Sequence, residues 1–205
     1  MRSPLEILYN FHWVVPSEAA RSATAYAGFL KPFLEGRGIK AIVNLRGPNP
    51  KFGWWKSEKQ VSAASEVAHI DVLLNSRRLP TQPMLRALIR AFDAAPKPLL
   101  LKCGGGQDRS SFAAALYLLH TRGWGAFDDA EAQFAAWPYL HRPKRFQHWL
   151  KPFLAFARED AKGKPLARWI DEDYSDAKLK AWLEAHGLGG SFRGLYDPRI
   201  PLPGL

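Results

Sequence analysis

The segment that most restricts the fold runs from Pro98 to Thr121. An apolar stretch, Pro98-Leu99-Leu100-Leu101-Lys102, leads directly into Cys103-Gly104-Gly105-Gly106-Gln107-Asp108-Arg109-Ser110, after which apolar residues recur at Phe112, Ala115, Leu116 and Leu119. The stretch reads as a buried strand, and the i, i+3, i+4, i+7 spacing predicts a helix from Arg109 to Thr121, halted by Gly123. A strand, a glycine turn and a helix without a linker suit a parallel sheet wound with helices. The glycines tolerate positive φ and place no Cβ in the way, so successive N–H groups can converge on one point. The helix N-terminus adds unsatisfied N–H groups and about half a unit of positive charge. Together these parts form a site for an anion.

Cys103 is the single cysteine of the chain. That rules out an internal disulfide framework and leaves a thiol that is either buried filler or chemically used. An unperturbed thiol, with a pKa of ~8.5, is mostly protonated near neutrality, whereas helix N-termini and nearby cations lower it to ~3.5–7.5. Arg109 offers a planar fork for two phosphoryl oxygens, which lysine cannot reproduce. The candidate phosphate-binding loop is therefore Gly104, Gly105, Gly106, Gln107, Asp108, Arg109 and Ser110, with Cys103 as candidate nucleophile. In such chemistry the thiolate attacks phosphorus, the leaving oxygen departs with a proton, and water hydrolyses a phosphocysteine. Ser110 can donate a hydrogen bond to the sulfur; its bland alternative is helix capping. The six histidines are scattered without ligand spacing, so no metal and no cofactor is expected.

This loop resembles that of the cysteine-based tyrosine and dual-specificity phosphatase superfamily, whose signature is Cys, five residues, Arg, then Ser or Thr. Cys103, Gly106, Asp108, Arg109 and Ser110 look like the Cys-x-x-Gly-x-Asp-Arg-Ser/Thr loop of bacterial atypical tyrosine phosphatases, some of which also act on phosphoinositides. Arg21-Ser22-Ala23 resembles the leading segment of that group, and Gly38-Ile39-Lys40 through Asn44-Leu45-Arg46 its early strand. The likeness extends from about Asn10 to Trp137. Two positions depart: Lys102 stands where histidine is usual, and Gln107 where lysine is common. The resemblance implies hydrolysis of phosphomonoesters on phosphotyrosine, dual-specificity protein or phosphoinositide substrates, with inhibition by phosphate or vanadate. It also implies a proton donor for the leaving group. Asp108 is the first choice, since that aspartate is proposed as the acid in relatives with the Asp-Arg pair. Asp71, 32 positions before Cys103, is the alternative, although it sits inside the apolar run Ile70 to Leu74 and can simply belong to a strand. The rival function is a catalytically silent phosphate-ester-binding module. The net charge of +10 favours anionic partners in general and leaves contact with a membrane surface open, but no nucleic-acid module is recognisable and nucleic acid is not expected as a partner.

The rest of the chain is consistent with an α/β fold, a central mostly parallel sheet flanked by helices. Ile39, Ala41, Val43 and Leu45 mark one strand and Ile70 to Leu74 another. Ser57 with Gln60 forms a capping-box pattern opening a helix whose face carries Val61, Ala64 and Ala68. Thr81 caps a helix with Leu85, Leu88, Ile89 and Phe92 that ends at Ala95-Pro96. Asp128 or Asp129 caps a helix to Trp137-Pro138, and Phe146, Trp149, Leu150 and Phe153 form a stripe that Pro152 kinks or divides. Residues 1–158 are expected to form the phosphatase-like domain. Residues 159–205 form an extension on the same domain, with a charged, interrupted stretch from Asp160 to Asp176, a short helix around Leu179, Trp182 and Leu183, and an irregular tail. Met1 to Phe11 lacks the apolar stretch of a signal peptide, and no segment reaches the ~20 apolar residues of a membrane span, so the expected location is cytoplasmic. Arg77 and Arg78 are either substrate contacts or solvated surface. Trp54 and Trp55 line a cleft, touch a membrane or pack in the core. His12, Arg21 and Arg46 either hold the loop from behind or lie on the surface.

Overall fold

The computed structural model describes residues 3–197; the expected irregular tail from 198 to 205 lies outside the described residues. In chain order the elements are α1 (Pro4–Leu8), β1 (His12–Val15), β2 (Ala19–Ala23), α2 (Ala27–Glu35), β3 (Ala41–Asn44), α3 (Gly53–Ala64), β4 (Ala68–Asp71), α4 (Gln82–Ala94), β5 (Leu99–Cys103), α5 (Asp108–Arg122), α6 (Phe127–Ala132), α7 (Pro152–Ala161), α8 (Leu166–Glu172) and α9 (Asp176–Ala185). The strands lie in the order β1-β2-β5-β3-β4. Only β1 runs antiparallel to its neighbour; the β2–β5, β3–β5 and β3–β4 pairs are parallel. This is the α/β architecture expected from the sequence.

Every residue of β5 is buried, because a strand lies on each side and helices cover both faces. Alternate residues serve opposite faces. Leu99, Leu101 and Cys103 join the larger core with Leu85 and Leu88 of α4, Phe112 and Leu116 of α5, and Phe153 of α7. Leu100 joins the smaller core with Phe33 and Leu34 of α2, Ile42 of β3, and Tyr9 and Phe11. The helix after the loop is buried from Ser110 to Leu119 on all sides, not along a single stripe, since the sheet and helices α4, α6 and α8 surround it.

Several boundaries differ from the sequence expectation. α3 begins at Gly53 with Phe52 as its cap, and Ser57 is an interior residue. Tertiary anchors start the helix a turn early: Arg46 stacks on Trp54, and the Trp55 indole N–H donates to Asp71. Ala68 lies in β4, which pairs from Ala68 to Asp71 in step with Ala41 to Asn44, so that strand ends before Leu74. Thr81 is the cap residue of α4 but makes no side-chain cap bond. α6 ends at Ala132, and Asp128 and Asp129 lie in its first turn instead of capping it. Pro152 does divide the downstream stripe, standing at the start of α7. The charged stretch after Asp160 contains α8, which the sequence did not announce. Leu166, Trp169 and Ile170 are buried while Arg168 pairs with Glu172 on the outside.

Trp169 is fully buried and packs edge-on against Phe153, Phe156 and Tyr174. Replacing it by alanine leaves a cavity in the core that carries α5. Trp169→Ala is expected to cost about 3–5 kcal/mol of unfolding free energy in urea titrations. A loss below about 1 kcal/mol would show that α8 contributes little to that core.

Candidate active site

Cys103 ends β5, and the chain turns through Gly104–Gln107 before α5 opens at Asp108. The carbonyl groups of Cys103, Gly104, Gly106 and Gln107 are held by donors outside this turn. Thr24 donates through its hydroxyl to the Cys103 carbonyl at 2.9 Å and through its amide to that of Gly104 at 3.2 Å. The Gly106 carbonyl accepts from Asn10 Nδ2 at 2.9 Å and Arg21 Nη2 at 3.1 Å. The Gln107 carbonyl accepts from Arg21 Nη2 at 3.1 Å and from the Ser111 amide at 2.9 Å. With its acceptors drawn outward, the loop can present its positive ends inward. Gly106 has φ +65°, and a Cβ there would stand 2.5 Å from the Ala23 nitrogen and 2.7 Å from the Ser22 carbonyl carbon. Only glycine fits this approach of loop to strand.

The Cys103 sulfur lies 3.6 Å from Ser110 Oγ. Burial alone pushes the thiol pKa up. The Arg109 charge, the Ser110 hydroxyl and the amides of Ser110 and Gln107 outweigh it, and the net direction is down. Arg109 folds over the loop: its Nη2 lies 3.9 Å from where a Cβ on Gly104 would stand. The Arg109 charge is thereby held near enough to act on the Cys103 sulfur.

Asp108 is partly buried beside them. Its Oδ2 accepts from Gln147 Nε2 at 2.8 Å, and its Oδ1 lies 3.5 Å from His141 Nε2. Burial raises its pKa, against the lowering pull of His141 and Arg109. Burial likewise depresses His141, whose Nδ1 is engaged with the Phe134 carbonyl at 3.1 Å. Asp71 is differently placed, at the end of β4. Its carboxylate accepts from Asn44 Nδ2 at 2.7 Å and from the Trp55 indole at 3.0 Å, in a lattice of contacts between strand ends and α3.

The remaining candidates separate. Arg21 is fully buried behind the loop; besides Gly106 and Gln107 it donates to the Gln133 carbonyl at 2.8 Å and to Ser111 Oγ at 2.7 Å. His12 holds Asn10 through a 2.9 Å contact, so it supports the loop at one remove. Arg46 lies on the other side, against Trp54. Lys102, buried, places its Nζ 2.7 Å from Glu58 Oε1, and burial lowers its pKa to about 8. Arg78 donates to the Leu195 carbonyl at 3.1 Å, tying its segment to the C-terminal strand of chain. Asn10, Gln133, His141, Gln147 and Glu58 were not foreseen. They are isolated polar residues far from Cys103 in sequence, and only the burial of polar side chains in aromatic surroundings marks them. Among the described residues no three His, Cys, Asp or Glu side chains gather as a metal-binding group.

No protein-family model matches the chain, and no curated protein matches it in sequence. Solved structures do match its fold. TpbA of P. aeruginosa superposes with TM-score 0.60 at 18% identity over 84% of this chain and 95% of that one. Tk-PTP in its active form gives 0.52 at 16% identity over 70% and 95%, and PTPMT1 gives 0.52 at 16% over 74% and 98%. These structures represent the cysteine-based tyrosine and dual-specificity phosphatase superfamily, and the chain has that fold.

The glycines of the loop are not equivalent. Gly106→Ala is expected to abolish phosphate-ester binding and to lower stability by about 1–3 kcal/mol through backbone strain. Gly104→Ala, whose Cβ meets nothing nearer than 3.9 Å, should fold with near-normal stability. Equal melting temperatures for the two variants would contradict the close approach of the loop to β2.

Proposed function

We propose that the protein is a cysteine-dependent phosphomonoesterase, acting on phosphotyrosine or a comparably accessible phosphate ester, with phosphoinositides among the candidate substrates. The observation that carries this reading is the Cys103 sulfur, lowered in pKa among Arg109, Ser110 and two loop amides, at the end of a loop whose carbonyls are tied away from it. A site of that polarity stabilises a thiolate and the phosphoryl group it attacks.

In this mechanism the ester phosphate sits in the loop with two oxygens on Arg109. The Cys103 thiolate attacks phosphorus in line, a sulfur–phosphorus bond forms, and the phosphorus–oxygen bond to the leaving group breaks. Asp108, protonated, gives its proton to the departing oxygen. A water then attacks the phosphocysteine, returns a proton to the Asp108 carboxylate, and releases phosphate and the thiolate, to which Ser110 donates a hydrogen bond. Asp108 is preferred over Asp71 because it lies next to the clamp and burial favours its protonated form, while Asp71 is engaged by Asn44 and Trp55. Gln147 and His141 act as positioning residues for that carboxyl.

Hydrolysis of para-nitrophenyl phosphate should be inhibited by orthovanadate and abolished in Cys103→Ser, a loss on the order of 10⁴-fold or more. Phosphate-ester binding without turnover in the wild type would instead indicate a silent binding module. Asp108→Asn should lower kcat by about 10²–10⁴-fold on phenyl phosphate and by less on the nitrophenyl ester, whose better leaving group needs less protonation. If Asp71→Asn shows that pattern and Asp108→Asn does not, the acid is Asp71.

The pH profile of kcat/KM should be bell-shaped. Its rising limb belongs to a thiol ionising below the usual ~8.5, and its falling limb to an acid deprotonating above the usual ~3.9. Asp108→Asn should remove the falling limb and leave the rising one; persistence of both would assign the falling limb to another group.

A further inference from the structure

Beside the catalytic loop lies a cavity of about 430 Å³ whose wall includes Thr24, Tyr26, Arg46, Trp54, Ser57 and the loop residue Gly104. That volume is in the range of small-molecule sites, roughly 300–1,000 Å³. Gly104 belongs both to the loop and to the cavity wall, so the cavity adjoins the loop that carries Cys103 and Arg109. Two donors of its wall are unsatisfied: Arg46 Nε and Trp54 Nε1 are buried without a hydrogen-bond partner. The guanidinium carbon of Arg46 lies 3.6 Å from the Trp54 ring centroid. Such stacking uses the flat face of the group and leaves its N–H edge for an acceptor.

The backbone under Arg46 is also fixed. Arg46 bridges Leu73, and the following Gly47, with φ +70°, comes so close to Leu73 that a Cβ would meet its side chain at 3.0 Å. The carboxylate on the cavity wall, Glu58, is already committed, since its Oε1 lies 2.7 Å from both Lys102 Nζ and His69 Nε2. Arg46 and Arg109 are near enough for their charges to oppose each other. Two cations in adjoining spaces, one of them with an Nε that has no hydrogen-bond partner, are relieved by a ligand that brings more than one negative group.

We infer that this cavity is a subsite for a second anionic group, so that the preferred substrate is a phosphomonoester bearing a phosphate or carboxylate close to the ester it loses. The inference rests on the phosphatase reading above. Arg46 is its specificity-determining residue: it receives the second group through charge-assisted hydrogen bonds, while Arg109 holds the scissile phosphate. Trp54 keeps the guanidinium in place, and Thr24 and Tyr26 belong to the same cavity wall.

The test compares phenyl phosphate, 3-carboxyphenyl phosphate and 1,3-phenylene bisphosphate on the wild-type chain, Arg46→Met and Arg46→Lys, each checked for an unchanged melting temperature. The wild type should favour at least one doubly anionic ester over phenyl phosphate by about tenfold in kcat/KM, mainly through KM. The carboxylate and bisphosphate arms tell which anion the subsite takes. Arg46→Met should bring that ratio to within about twofold of unity, and Arg46→Lys should keep part of it. No preference in the wild type, with all three esters hydrolysed, would overturn the subsite and leave the phosphatase reading standing. An equal loss on all three substrates in Arg46→Met would place Arg46 on the scissile phosphate and also overturn it. If none of the esters is hydrolysed, the phosphatase reading fails. Calorimetric binding to the wild type then decides the subsite, tighter binding of the bisphosphate than of phenyl phosphate supporting it and equal affinity overturning it.

Discussion

The buried guanidinium of Arg21 is the constraint on which the site depends. It is fully enclosed, and burial lowers its pKa only to about 10, so it stays charged at neutral pH. An unpaired cation in the interior is costly. Here the compensation comes from oxygen dipoles: the carbonyls of Gly106, Gln107 and Gln133 and the Ser111 hydroxyl all accept from it, and the Tyr139 ring lies 4.6 Å from its guanidinium carbon. Two of those carbonyls, of Gly106 and Gln107, belong to the loop after Cys103. The bonds that solvate the cation are thus the bonds that turn the loop's acceptors away from the Cys103 sulfur. Stability of the interior and polarity of the site follow from one set of contacts.

The period-two geometry of β5 then divides the labour between neighbouring residues. Cys103 belongs to the larger core on the α5 side. Lys102 points the other way, toward α3, where Glu58 receives it and where His69 and Asp71 of β4 also turn their side chains. Lys102, next to Cys103, is thereby turned away from the loop while its charge still acts on the sulfur. The same α3 contacts set Trp54 against Arg46 and so shape the cavity next to Gly104.

What could be read in the sequence follows from how local each cause is. Strand, turn and helix around Cys103 are specified by adjacent residues, and their observed bounds, Leu99–Cys103 and Asp108–Arg122, differ by a residue from the expected ones. The start of α3 was misplaced because the anchors of Trp54 and Trp55 are Arg46 and Asp71, which come from other strands. α8 was hidden by its charged outer face, since three buried positions among Arg168, Asp171 and Glu172 give too short a period to stand out. The strands β1 and β2 were not recognised as strands, although Arg21 was among the residues considered for holding the loop. Asn10, Gln133, His141 and Gln147 have no local pattern; each reaches the site only because the sheet and the segment after α6 fold over it.

That segment and the helices after it also account for the rigidity of the clamp. Arg109 stands in the first turn of α5, and its direction is only as fixed as the helix beneath it. Phe112, one turn on, packs against Trp149 and Phe153, and Phe153 in turn contacts Trp169 and Tyr174. Tyr174 hydrogen-bonds to the Pro80 carbonyl, closing the aromatic stack onto the chain that enters α4. Close-packed aromatic contacts of this kind leave little free volume for a helix to tilt. The residues beyond α7 touch no part of the Cys103–Ser110 loop among the contacts described, yet they form the far wall of the core in which its helix is held. The geometry around Arg109 at one end of α5 is therefore set by packing at the other.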